Sequence, residues 1–189
     1  MNLRQIILAV TIALWLSVAP ACRHPTAPTK TPRPSAPANG QTSIQGRVVR
    51  IADGDTITIL DASNVQHRIR LLGIDAPESH QAFGTKSKQS LSDMVFDKEV
   101  IADCGKTDQY GRLVCKIVLG DRDINLEQII AGMAWHYKDY QSEQTPEDRK
   151  QYARAENDAR AARRGLWRDA NPTEPSEFRR EERKEREAR

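Results

Sequence analysis

Histidine and cysteine are too few and too scattered in this 189-residue chain to build a soft-metal cage. His67, His80 and His136 stand alone and His24 lies in a proline-rich stretch, so the paired spacings that hold zinc are missing. Charge of one sign is also scarce. The 29 lysines and arginines exceed the 26 acids by three, which excludes attraction of a polyanion by the surface as a whole and leaves only a local basic patch. The apolar run from Ile6 to Val18 is too short for a comfortable membrane span.

That run has another reading. Arg4 precedes it and Ala19-Pro-Ala21 follows it, so residues 1–21 read as an export signal and leave 168 residues, enough for one domain with one core. Cys22 then has two readings. The small-x-small triplet fits ordinary cleavage and release, whereas a cysteine directly after the signal resembles a bacterial lipoprotein site and a lipid anchor. Residues 22–42 are rich in proline and poor in apolar side chains, which makes them a semi-extended linker. Cys104 and Cys115 either close a disulfide in an oxidising compartment or serve as small apolar strand residues.

Three polar clusters interrupt the strand-like runs. The first is Asp53-Gly-Asp55-Thr56, the second Arg70-Leu-Leu-Gly-Ile-Asp75-Ala-Pro-Glu78, the third Asp108-Gln-Tyr110-Gly-Arg112. Taken singly, each is an ordinary turn, since Asp and Gly suit tight hairpins and Pro77 forces an extended approach. Taken in this order, they supply two carboxylates for a hard metal (Asp55 and Asp75), a third as general base (Glu78) and two guanidinium groups (Arg70 and Arg112). Phosphodiester hydrolysis needs such a set: a base to deprotonate water, and cations to hold the phosphate as its charge grows. Arginine rather than lysine at 70 and 112 permits paired donation to two phosphate oxygens.

From about Ser43 to Trp167 these clusters and their spacing resemble the staphylococcal nuclease family of secreted, calcium-dependent nucleases. The resemblance implies that Asp55, Asp75 and the backbone carbonyl of Ala76 bind Ca2+, a cation that accepts such a loose all-oxygen shell. It implies that Glu78 is the base and that Arg70 and Arg112 hold the phosphate. Tyr110 matches a tyrosine of the nucleotide pocket, and Tyr137 and Tyr140 lie near a second. The sequence departs from the family's type member at Ala76, where threonine stands there, and at Gln109, where lysine stands. DNA and RNA are the implied substrates, cleavage at the 5′ oxygen is the implied chemistry, and no obligate protein partner is evident. The rival reading is an envelope OB-fold module that binds nucleic acid with little or no cleavage.

Alternating runs predict strands over Ser43–Ile51, Thr56–Leu60, His67–Leu72, Val100–Cys104 and Leu113–Leu119. Helical spacing of Gly84, Ser87, Lys88, Leu91, Met94 and Val95 predicts a helix after the second cluster. Two more are expected over Ile124–Met133 and Pro146–Arg164, the latter with Pro146 near its start and Gly165 past its end. The expected fold is α+β, mainly β: a five-stranded OB-fold barrel with about three helices over residues 43–170. The charged tail, 171–189, mixes six cations with five acids from Glu177 onward and reads as a solvated helix or frayed end. Trp135, His136, Tyr137 and Tyr140 read as a mixture of core and rim.

Overall fold

A computed structural model describes residues 42–189. The proposed signal, the linker and Cys22 lie outside the described residues. The chain opens with β1 (Thr42–Ile51), β2 (Thr56–Asp61), β3 (Gln66–Leu71) and the two-residue β4 (Ile74–Asp75). Helix α1 (Gly84–Val95) follows, then β5 (Glu99–Thr107), β6 (Leu113–Leu119), the short β7 (Arg122–Asp123) and α2 (Ile124–Ile130). The short β8 (Trp135–His136), α3 (Pro146–Ala161) and α4 (Pro175–Glu187) complete it.

Side-chain alternation explains why the sheet folds on itself. In β5 the residues Val100, Ala102 and Cys104 are buried while Glu99, Ile101 and Asp103 face out, the period of two that a half-buried strand requires. A bulge between Val48 and Arg50 bends β1 so that it pairs with β2 at one end and β5 at the other. The sheet closes where β3 pairs in parallel with β6, Ile69 against Leu113 and Arg70 against Val114. The ring β1-β2-β3-β6-β5 is therefore a closed five-stranded barrel, the OB-fold, filled by Val48, Ile57, Ile59, Ile69, Leu71 and Ile117. Leu91 and Val95 of α1 and Ile124 and Ile129 of α2 cap this core.

The three expected helices form, with shorter ends: α2 stops at Ile130 before Gly132, and α3 at Ala161. Thr145 caps α3 by accepting from the Asp148 N–H at 3.1 Å, with Pro146 at its first turn. Tyr152 of α3 donates to Asp123, which also caps α2 by accepting from Leu126 N–H at 3.0 Å. Cys104 and Cys115 are direct cross-strand partners of β5 and β6 and are joined by a disulfide. Trp167 is a buried packing residue. It meets Trp135 edge-on at 4.3 Å, and Arg160 lies 4.0 Å over its ring.

Of the two forms expected for the tail, the helix is the one present. It begins with Pro175 at its first turn, but it lies against the rest of the chain. His80 Nε2 is 2.6 Å from Glu182 Oε1, His80 packs on Phe178 at 5.2 Å, and Gln81 donates to the Thr173 carbonyl at 2.8 Å.

Candidate active site

The loop between β1 and β2 is built around Asp53 and Gly54. Asp53 accepts from the Asp55 N–H at 3.0 Å, closing a tight turn that brings the Asp55 side chain inward. Gly54 cannot be replaced without displacement, because a Cβ there would fall 1.8 Å from Ser87 Oγ of α1. Gln128 of α2, fully buried, donates to the Gly54 carbonyl at 2.8 Å and accepts from Ser90 Oγ at 2.7 Å. Two helices thus fix one acidic turn.

Asp55 is buried and accepts from Thr56 Oγ1 at 3.1 Å and from the Ala76 N–H at 2.7 Å. The second of these ties the first acidic turn to the second. Asp75 lies in β4 and is held by pairing with Trp135 of β8. Arg70, at the end of β3, faces both acids: its Nη1 is 2.7 Å from Asp55 Oδ2 and its Nη2 donates to Asp75 Oδ1 at 2.8 Å. Burial pushes the Asp55 carboxyl well above the usual carboxylate range, against the pull of Arg70, whereas Arg70 itself is held more firmly charged by the same contact. The two directions express one conflict, an ion pair kept out of water, and a further cation would resolve it by favouring ionised Asp55.

Glu78 follows Pro77 and is only partly buried. Gly84 makes room for this turn, since a Cβ there would meet the Glu78 carbonyl oxygen at 1.9 Å. Arg112 reaches the site because β3 and β6 close the barrel. Its Nε donates to Asp108 Oδ2 at 2.7 Å, and its Nη1 lies 3.5 Å from Thr56 Oγ1, which in turn donates to Asp55. The Asp108 carboxyl also accepts from the backbones of Tyr110 and Arg112, each at 2.9 Å, so the third cluster is a self-closed turn presenting one guanidinium.

The aromatic residues divide. Tyr110 is 70% exposed, with the Arg112 guanidinium 5.4 Å over its ring. Tyr137 borders the acids, because its N–H donates to the Gly73 carbonyl at 2.9 Å, and burial together with the Asp75 charge raises its hydroxyl above the ordinary range. Tyr140 packs on Tyr137 at 4.9 Å and stays exposed, whereas Trp135 and His136 are buried.

One cation that reaches these acids has no sign in the sequence. Arg179 of α4 donates from Nη1 to Glu78 Oε1 at 2.8 Å and to Asp75 Oδ1 at 3.2 Å, and from Nη2 to Asp75 Oδ2 at 2.9 Å. It stands among five other cations of the tail, and no local pattern sets it apart. Asp108 and Thr56 were also overlooked as the groups that orient Arg112. Their signal was present, since each sits inside a cluster already singled out.

The arrangement gathers three acids and three arginines around one face of a barrel, a site suited to phosphate chemistry. Among the described residues no three His, Cys, Asp or Glu side chains form a ready metal cage. The staphylococcal nuclease homologue family matches residues 68–169. The chain is 47% identical over 137 residues to an uncharacterised endonuclease of Haemophilus influenzae, covering 72% of this chain and 73% of that one. It is 41% identical over 145 residues to a micrococcal nuclease of Shigella flexneri, covering 72% and 80%, and 40% identical over 148 residues to Protein ParB of Escherichia coli, covering 73% and 80%. The fold is an OB-fold with a cluster of acids and arginines on one face. The chain belongs to the staphylococcal nuclease family and is a nuclease-type hydrolase.

Proposed function

We propose that the protein is a calcium-dependent endonuclease that hydrolyses phosphodiester bonds of DNA and RNA with little sequence preference. The observation that carries the reading is the convergence of Asp55, Asp75, Glu78, Arg70 and Arg112 from three separate segments onto one patch. The donor set fits a hard cation: two carboxylates and the Ala76 carbonyl are all oxygen, and the Arg179 guanidinium already stands against Asp75 as a positive charge. Bound calcium would supply charge stabilisation to the phosphate oxygens.

The remaining steps belong to the protein. Glu78, partly open to solvent, takes the proton of the attacking water. Arg70 is held in place by its two acids and retains N–H groups for a phosphate oxygen, and Arg112 is aimed by Asp108 for the same purpose. The water oxygen bonds to phosphorus as the bond to the 5′ oxygen breaks, and that oxygen leaves as a 5′-hydroxyl after taking a proton from solvent, so that a 3′-phosphate remains. Tyr110, Tyr137 and Tyr140 offer ring faces to bases beside the scissile bond. Export through residues 1–21, with a mature chain beginning at Cys22 and a linker before the barrel, belongs to the same proposal. Mass spectrometry of the first peptide tests it.

Digestion of an end-labelled oligonucleotide tests the function. Fragments with 3′-phosphate ends are expected with calcium and none with chelator. Undiminished cleavage in excess chelator removes the metal from the mechanism, and tight binding with no cleavage under any metal favours a binding module.

A further inference from the structure

The site's own acids are already engaged by the carboxyl-terminal helix. Arg179 covers both oxygens of Asp75 and one oxygen of Glu78. While it stays, Asp75 has its lone pairs directed at a guanidinium, and Glu78 accepts a hydrogen bond where it must accept a proton from water. A divalent cation brought to Asp75 would also meet a like charge within a few ångströms. The two cations compete for the same oxygens.

The rest of α4 is built to dock and to leave. Apart from Pro175 it buries no residue, and its other attachments include the Glu182–His80 pair, the Phe178–His80 packing, the neighbouring Gln81–Thr173 bond and the approach of Pro175 and Ser176 to Tyr137 and Lys138. Such exposed polar contacts are weak and screened by salt. A helix of 13 residues, once undocked, is marginal in water. Arg180, the next residue, is exposed and, among the described residues, pairs with Glu177 of its own helix at 3.2 Å. One residue of the helix is aimed at the acids.

We infer that α4 is an autoinhibitory strap whose Arg179 occupies the cation position, so that divalent metal binding at Asp75 and release of the carboxyl-terminal helix are two faces of one equilibrium. The inference rests on the metal site proposed above and adds its control. A ligand that binds only the released form has its affinity reduced by the fraction of molecules that are released, so removing the strap should tighten calcium binding.

The test combines calcium titration calorimetry with hydrogen exchange of the α4 amides, on the full chain and on Arg179→Ala and Arg180→Ala. In the wild type, α4 amides should be protected without metal and exchange faster with calcium. Arg179→Ala should exchange fast in both conditions and bind calcium about tenfold tighter or more, with Arg180→Ala matching the wild type. Calcium binding of equal affinity in wild type and Arg179→Ala, with α4 protection unchanged, overturns the strap and leaves the metal site standing. Calcium binding by no variant, with α4 loosened by Arg179→Ala alone, overturns the metal site and the competition built on it.

Discussion

At the scale of single residues, most of the site is a matter of what holds a charge in place. Arg112 depends on Asp108 for its direction, and Arg70 on Asp55 and Asp75. Replacing Arg112 by alanine should reduce the rate of phosphodiester cleavage by about 10²-fold or more, and lysine should restore only part of it, because an ammonium cannot make two parallel hydrogen bonds. Steady-state cleavage of one oligonucleotide by both variants checks this, and full restoration by lysine would remove the bidentate role. His136 offers a prediction about stability. It is buried, burial lowers its pKa below the ordinary 6.5, and its Nε2 is 2.8 Å from Gln144 Oε1. The unfolded chain therefore binds this proton more readily than the folded one, so its effect on stability is nil above 6.5 and unfavourable as pH falls through 6.5 toward the lower folded value. Urea midpoints at pH 7.5 and 5.5 should fall more for the wild type than for His136→Asn; equal falls would show that His136 contributes nothing to the slope.

At the scale of elements, the barrel and its helices hold turns whose own sequences would not fix them. Gln128 is the clearest case, a fully buried amide bonding Gly54, Ser87 and Ser90 at once. Gln128→Leu should destabilise the fold by about 1–3 kcal/mol, since the Gly54 carbonyl and the Ser90 hydroxyl lose their partner inside the protein. Chemical denaturation measures it. The disulfide between β5 and β6 closes the loop that carries Tyr110 and Arg112. Replacing Cys104 and Cys115 together by alanine should cost about 2–4 kcal/mol by the same measurement, and a loss near zero would mean the bond constrains nothing that the sheet does not. The five strands and three of the four helices were legible in the sequence because alternation and helical spacing are local signals, as Val100, Ala102 and Cys104 show. The two-residue β4 and β8 were not. Their pairing of Asp75 with Trp135 joins positions 60 residues apart, and nothing within either segment announces it.

At the scale of the whole molecule, closure of the barrel is what turns three turns into one site. The parallel pairing of β3 with β6 sets Arg70 beside the strand that begins after Arg112, and the Ala76–Asp55 bond joins the acidic turns. The residues that sequence spacing singled out do come together, since each cluster ends a strand at the same end of the barrel. Spacing did not foretell Arg179, whose role depends on where a charged tail comes to rest, a matter of long-range packing among several equivalent arginines. The tail is thus part of the site rather than an appendage to it. The proposed hydrolysis of phosphodiesters at this patch turns on Glu78 as base. The most direct measurement is single-turnover cleavage of a 5′-labelled oligonucleotide in saturating calcium by the wild type and Glu78→Gln, with substrate binding measured alongside. The wild type should cut, and the variant should bind substrate comparably while its rate falls by about 10²-fold or more. A Glu78→Gln protein cutting at the wild-type rate would remove Glu78 from the chemistry.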